Sequence, residues 1–104
     1  MTHDDAARRI DEIEREMRAS GLWREAPLPA EAYEFREAFG ADTMSFAPWL
    51  QFVFIPRVRS IVAGRGAFPP SSMVAARAVR EFDGVDDAAR LVSLLSEFDA
   101  RINE

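Results

Sequence analysis

Cysteine and lysine are absent from the chain, histidine occurs once, and glycine only five times in 104 residues. Without cysteine there is neither a disulfide framework nor a thiolate metal site. The single histidine, His3, falls where a frayed terminus is expected, so no His-based triad and no His-rich metal centre are predicted. The glycines form no Walker or Rossmann phosphate loop, and no Glu-x-x-His pair of the kind used by di-metal bundles is present. The longest nearly uncharged stretch, Thr43 to Pro56, is shorter than the roughly 20 residues that span a bilayer. The opening residues MTHDDAARRI lack the apolar core of a signal peptide. These absences predict a cytoplasmic protein with no membrane segment, no metal and no cofactor. With no lysine, all thirteen basic residues are arginine. Arginine suits bidentate contact with carboxylate or phosphate, but coding bias produces the same composition, so arginine usage alone decides nothing.

What is present reads as one globular domain covering residues 1–104, with 48% hydrophobic and 30% charged residues. The charge is segregated. Residues 1–42 hold six arginines and eleven acids, residues 43–80 five arginines and no acid, and residues 81–104 two arginines and seven acids. Either the middle segment presents a basic surface to an anionic partner, or acidic outer helices pack beside a basic central one.

Hydrophobic periodicity predicts an all-α chain. Asp4 to Ala19 places Ala6, Ile10, Ile13 and Met17 on one stripe, with Asp11–Arg15 and Glu14–Arg18 as i, i+4 pairs, and Ser20-Gly21 ends the helix. Pro27 and Pro29 bar a regular helix across the connection that follows. In it Glu31 to Phe39 reads as a short helix, and Leu22, Trp23, Tyr33 and Phe35 as anchors. The most apolar run, Asp42 to Arg59, reads as the central helix, capped among Asp42, Thr43 and Ser45, with Pro48 in its first turn and a kink at Pro56. A third helix, capped by Ser71 or Ser72, runs to about Glu81. A fourth runs from Val85 or Asp86 to about Ile102. The expected architecture is a four-helix bundle with a long Pro-containing connection between its first two helices.

Asp42-Thr43-Met44, Pro48-Trp49-Leu50-Gln51 and Ile55-Pro56-Arg57 resemble the YqcC-like family of small bacterial proteins of unknown function. Trp23 before a Pro-rich link and a Leu-rich last helix ending near Asp99 add to the resemblance, whereas Gly66 to Ser72 is shorter than the family's loop. The resemblance implies an all-helical bundle. It also hints at RNA modification, because family members are often encoded near a tRNA pseudouridine synthase. It supplies no catalytic residues.

Asp42, Trp49, Gln51, Arg57 and Arg59 form the candidate binding surface: an indole, a lone amide in an apolar helix, and two guanidinium groups. The same residues have a structural account, with Asp42 capping the helix or pairing with Arg57, Trp49 in the core, and Gln51 satisfying a loop carbonyl. Arg65, Ser71 and Ser72 form a possible anion site at a helix N-terminus. The expected function is a protein-binding or accessory module, or a weak homo-oligomer, without catalytic activity. The alternative is an RNA-associated accessory factor linked to tRNA pseudouridylation.

Overall fold

A computed structural model describes all 104 residues, and every regular element in it is helical. Helix α1 (His3–Ala19) starts at Thr2, whose side chain accepts the Asp5 amide. Asp4 and Asp5 lie in its first turn and Arg18 in its last, so both ends suit the helix dipole. Ala6, Ile10, Ile13 and Met17 are completely buried, which is the stripe that their spacing predicts. Of the two expected intrahelical pairs, Glu14–Arg18 forms, while Asp11 turns instead to Arg59. His3 is not frayed: it lies inside α1, and its Nε2 donates to the carbonyl oxygen of Gly66 at 2.8 Å.

The connection to the next helix contains two single 3-10 turns, Ala30–Tyr33 and Ala38–Gly40, where a short helix is expected from the sequence. Phe39 has φ 58° and Gly40 φ 61°, and these left-handed residues break the helical path before Phe39 can share a stripe with Phe35. Glycine suits the second of these positions. A Cβ at this position would lie 3.1 Å from Cδ1 of Trp49, as the loop crosses that indole closely. Leu22, Trp23 and Phe35 pack on the core, whereas Tyr33 remains exposed.

The central run opens with a turn at residues 42–45 and is helical from Phe46 on, in three stretches: α2 (Phe46–Trp49), a π-helical segment (Leu50–Phe54) and α3 (Ile55–Gly64). Asp42 does not cap it; Ser45 is the N-cap residue. The kink expected at Pro56 takes the form of a widened turn immediately before it. Pro56 has no N–H to offer the Phe52 carbonyl, and its ring crowds that oxygen. Lengthening the loop, so that Ile55 N–H bonds to Leu50 C=O, relieves the clash. The next helix, α4 (Val74–Glu81), begins at Met73 rather than at Ser71 or Ser72. A 3-10 turn at Asp86–Ala88 leads into α5 (Ala89–Ile102). Helix α1 lies against α3 and α5, and α4 lies against α5. The shared core includes Ile10, Met17, Leu50, Leu91 and Leu95, and an aromatic cluster of Phe46, Trp49, Phe54 and Phe98 lies beside them.

Candidate functional site

The aromatic cluster is covered by α3 and the loop 65–73 incompletely. Between them a half-open cleft of about 510 Å³ remains. Its buried lining is Trp49, Phe54, Val58, Val74 and Phe98; Met73, 69% exposed, stands in the same lining. Arg57 is its only charged residue, and Ser71 and Ser72 supply hydroxyls.

The loop that borders the cleft is fastened at both ends. Arg65 closes α3 in the left-handed conformation at φ 49°, and Gly66 N–H returns to the Ile61 carbonyl. The His3 ring bonds to Gly66 and stacks on Phe68 with centroids 5.1 Å apart. At the other end, Asn103 brackets Ser72, accepting its N–H at 2.8 Å and donating to its carbonyl at 2.9 Å. The Asp99 carboxylate accepts the Ser72 hydroxyl and, at 2.7 Å, the buried amide of Ala75. It therefore caps α4 from α5. Ser72 lies one residue before the N-cap position, Met73, and its hydroxyl donates to the carboxylate that does the capping. Asp99 is a functional carboxylate that the sequence reading does not single out. The available signal was its position four residues after Leu95 and eight after Leu91, on the buried stripe of α5.

On the other side of Arg57 lies a shallower depression of about 390 Å³ lined by Tyr33, Phe35, Phe52, Val53, Pro56 and Ser60 together with Arg57 itself. No carboxylate lines either recess, and Arg57 is the one residue common to both.

The other residues singled out in the sequence are distributed around this frame. Trp49 is a core residue that also lines the cleft. Gln51, buried, clasps the loop backbone by accepting Arg24 N–H at 2.8 Å and donating to Arg24 C=O at 2.7 Å. Asp42 makes no ion pair with Arg57; it accepts the backbone amides of Arg36 and Glu37. The Arg36 amide, then that of Glu37, outweighs desolvation and holds its carboxyl below the ordinary value of 3.8. Arg65 does not line the cleft, whereas Ser71 and Ser72 do.

Arg59 is tied to α1, its guanidinium donating to Asp11 and Glu14 at 2.8 Å each. Burial pushes the Glu14 carboxyl up, but hydrogen bonds from Arg59 and Arg18 and their charges outweigh it, and the net shift is below the ordinary 4.5. A carboxyl depressed in the folded state contributes stability above its unfolded pKa and loses it as pH falls through the folded one. Thermal stability should therefore fall on acidification below about pH 4.5, Glu14's ordinary value. Arg59→Ala should flatten that acid limb by lowering the neutral-pH melting temperature modestly, the pair being partly exposed, while leaving the value at the acid end almost unchanged. Melting curves across pH 3 to 7, a range on the order of the carboxylate titration window, check both outcomes. An unchanged acid limb in the variant would contradict the assignment.

Comparison with known proteins agrees with the helical architecture. The solution NMR structure of protein YqcC from E. coli superposes with a TM-score of 0.87 over 100% of this chain and 91% of that one, at 24% identity, a level that speaks to fold alone. An uncharacterized protein of Haemophilus influenzae is 38% identical over 60 residues, spanning 58% of this chain and 57% of its own. A tRNA pseudouridine synthase C of Pectobacterium carotovorum subsp. carotovorum is 40% identical over 60 residues, 58% of this chain but 16% of that protein. The matched segment is thus a small part of the synthase and little more than half of the Haemophilus protein. One family model, DUF446, described as tRNA pseudouridine synthase C, matches residues 5–101. By that match over nearly its whole length, the chain belongs to the DUF446 family, the YqcC-like group that its central helix resembles.

Proposed function

We propose that this chain is a single-domain, cytoplasmic four-helix bundle that acts as a protein-binding accessory module without catalysis of its own, and that its partner is a tRNA pseudouridine synthase. The observation that carries the proposal is the apolar cleft beside Arg57. A well-formed apolar recess with a few convergent polar groups is the first place to look for a bound partner or ligand, and this one joins a buried aromatic cluster to Arg57, Ser71 and Ser72. The choice of partner is supported by the Pectobacterium protein named tRNA pseudouridine synthase C, 16% of which matches this chain. A non-catalytic role is supported by how the polar groups are used. His3 serves the loop, and Asp99, Asp42 and Glu14 serve caps and ion pairs.

Direct protein contact is favoured over tRNA contact by the fate of the basic middle segment. Of its five arginines, Arg59 is paired to Asp11 and Glu14 and Arg77 to Glu81, which leaves Arg57, Arg65 and Arg80 without a carboxylate partner. Three arginines on an acidic chain make a thin phosphate-tracking surface. Purified chain mixed with the tRNA pseudouridine synthase of the same organism should co-sediment in nuclease-treated samples, with a complex that persists at raised salt. A complex formed only with tRNA present and lost on nuclease treatment would establish the RNA alternative. No complex under either condition would remove the synthase as partner.

A further inference from the structure

Arg57 stands between two apolar recesses, the cleft lined by Phe54, Ile61, Met73 and Phe98 and the depression lined by Tyr33, Phe35, Phe52 and Pro56. It has no carboxylate within ion-pairing distance, unlike its neighbour Arg59 two residues on, and it is exposed. An exposed guanidinium flanked on both sides by apolar surface, with no acid in either lining, is half of a recognition pattern. The missing half is one carboxylate with bulky apolar groups on either side of it. Resting on the protein-binding reading above, we propose that the occupant is a partner's peptide segment of apolar–acidic–apolar pattern. It would lie across Arg57, with one apolar side chain in each recess and its carboxylate on the guanidinium.

Charge complementarity selects this occupant. Arginine presents a planar fork that matches a carboxylate bidentately, and hot spots form where such a contact is ringed by apolar groups that exclude water. A nucleic-acid strand needs a row of cations tracking its phosphates, and here a single one separates the recesses. A small amphipathic acid needs a pocket that encloses most of its surface, and both recesses are open to solvent. Met73 suits the role of an adaptable contact, because its unbranched thioether repacks around different side chains.

The test is selection of displayed 12-mer peptides, a length on the order of a short docking segment, on the full chain, with the chosen peptides resynthesised and titrated by fluorescence anisotropy. The expected peptides carry an Asp or Glu between bulky apolar residues and perturb the NMR signals of the Met73 methyl and the Trp49 indole. Arg57→Glu should weaken them by about tenfold or more, the scale of one charge-assisted hydrogen bond. Exchange of the peptide's acid for Lys should restore affinity to that variant. Arg57 makes no intramolecular pair and Met73 is exposed, so Arg57→Glu and a second variant, Met73→Asp, should both fold. Peptides that lack an acid, or that bind Arg57→Glu as well as the parent, would overturn the proposal while leaving synthase association intact. Enrichment of no peptide would overturn it too, and if the synthase also fails to associate, the protein-binding reading falls with it. Decanoate displacing the selected peptides would favour a small acid as occupant. Concentration-dependent dimers dispersed by Met73→Asp would favour a second copy of the chain. Either result counts against the partner segment.

Discussion

Replacement of Trp49 by alanine should cost about 3–5 kcal/mol, the range for deleting a large aromatic side chain from a core. That is a large part of the roughly 5–15 kcal/mol that a domain of this size has in total. Trp49 is 6% exposed, and its ring meets Phe39, Phe46 and Phe54 at centroid distances of 5.1, 5.9 and 5.8 Å. It also holds the connection in place. The left-handed Phe39 lies edge-on to the indole, and Gly40 passes so close that an added Cβ would press on it at 3.1 Å. Truncation would therefore empty the aromatic cluster and unseat the loop above it. Urea unfolding at neutral pH reads the loss directly. Trp49→Phe, which keeps a ring in the same place, should be much milder. A cost under about 1 kcal/mol for Trp49→Ala would mean that this residue acts as a surface group, since substitutions away from the core stay near ±0.5 kcal/mol.

Trp49 marks how far the sequence was legible. The helical periods around Ile10, Ile13 and Met17, and around Leu91, Leu95 and Phe98, announce an all-helical chain because one-sided burial leaves a 3.6-residue imprint. The central run is legible for a related reason: apolar on every side, it had to be surrounded. Its association with Gln51 is legible as well, since a lone amide among apolar residues must find backbone partners, and Arg24 supplies both. Features that depend on residues far apart in sequence leave no periodic trace. Arg59 pairs with Asp11 and Glu14 across 48 and 45 positions, and His3 reaches Gly66 across 63. The helix expected over Glu31 to Phe39 fails for a local reason, the left-handed turn at Phe39 and Gly40, which packs closely on the Trp49 indole. The cleft is the least legible feature. Its lining comes from the central helix, a loop, the first turn of α4 and Phe98 of α5, and only Arg57, Trp49 and the two serines carried any warning of it.

Asp99→Ala should destabilise the protein by about 3 kcal/mol, combining the roughly 1 kcal/mol of a lost helix cap with the charge-assisted hydrogen bonds of a buried carboxylate. Asp99 is 8% exposed, and the Ala75 amide that it accepts is buried, so alanine leaves that N–H without a partner and opens a gap beside it. The effect should concentrate on α4. Its eight residues are fewer than the roughly 12–15 that an isolated helix needs to be even marginal in water. Its start is fixed only by Asp99 together with Asn103 bracketing Ser72. Amide exchange should therefore accelerate from Ala75 through Ala78 well before it does in α1 or α5, and the cleft formed in part by Ser72, Met73 and Val74 should loosen with it. Asp99→Asn retains a carbonyl for the Ala75 amide and should cost less than half as much. Measured exchange that rises uniformly over the whole chain would place the role of Asp99 in global packing instead. A loss within ±0.5 kcal/mol, the usual range for an exposed substitution, would mean that α4 finds its start without help from α5.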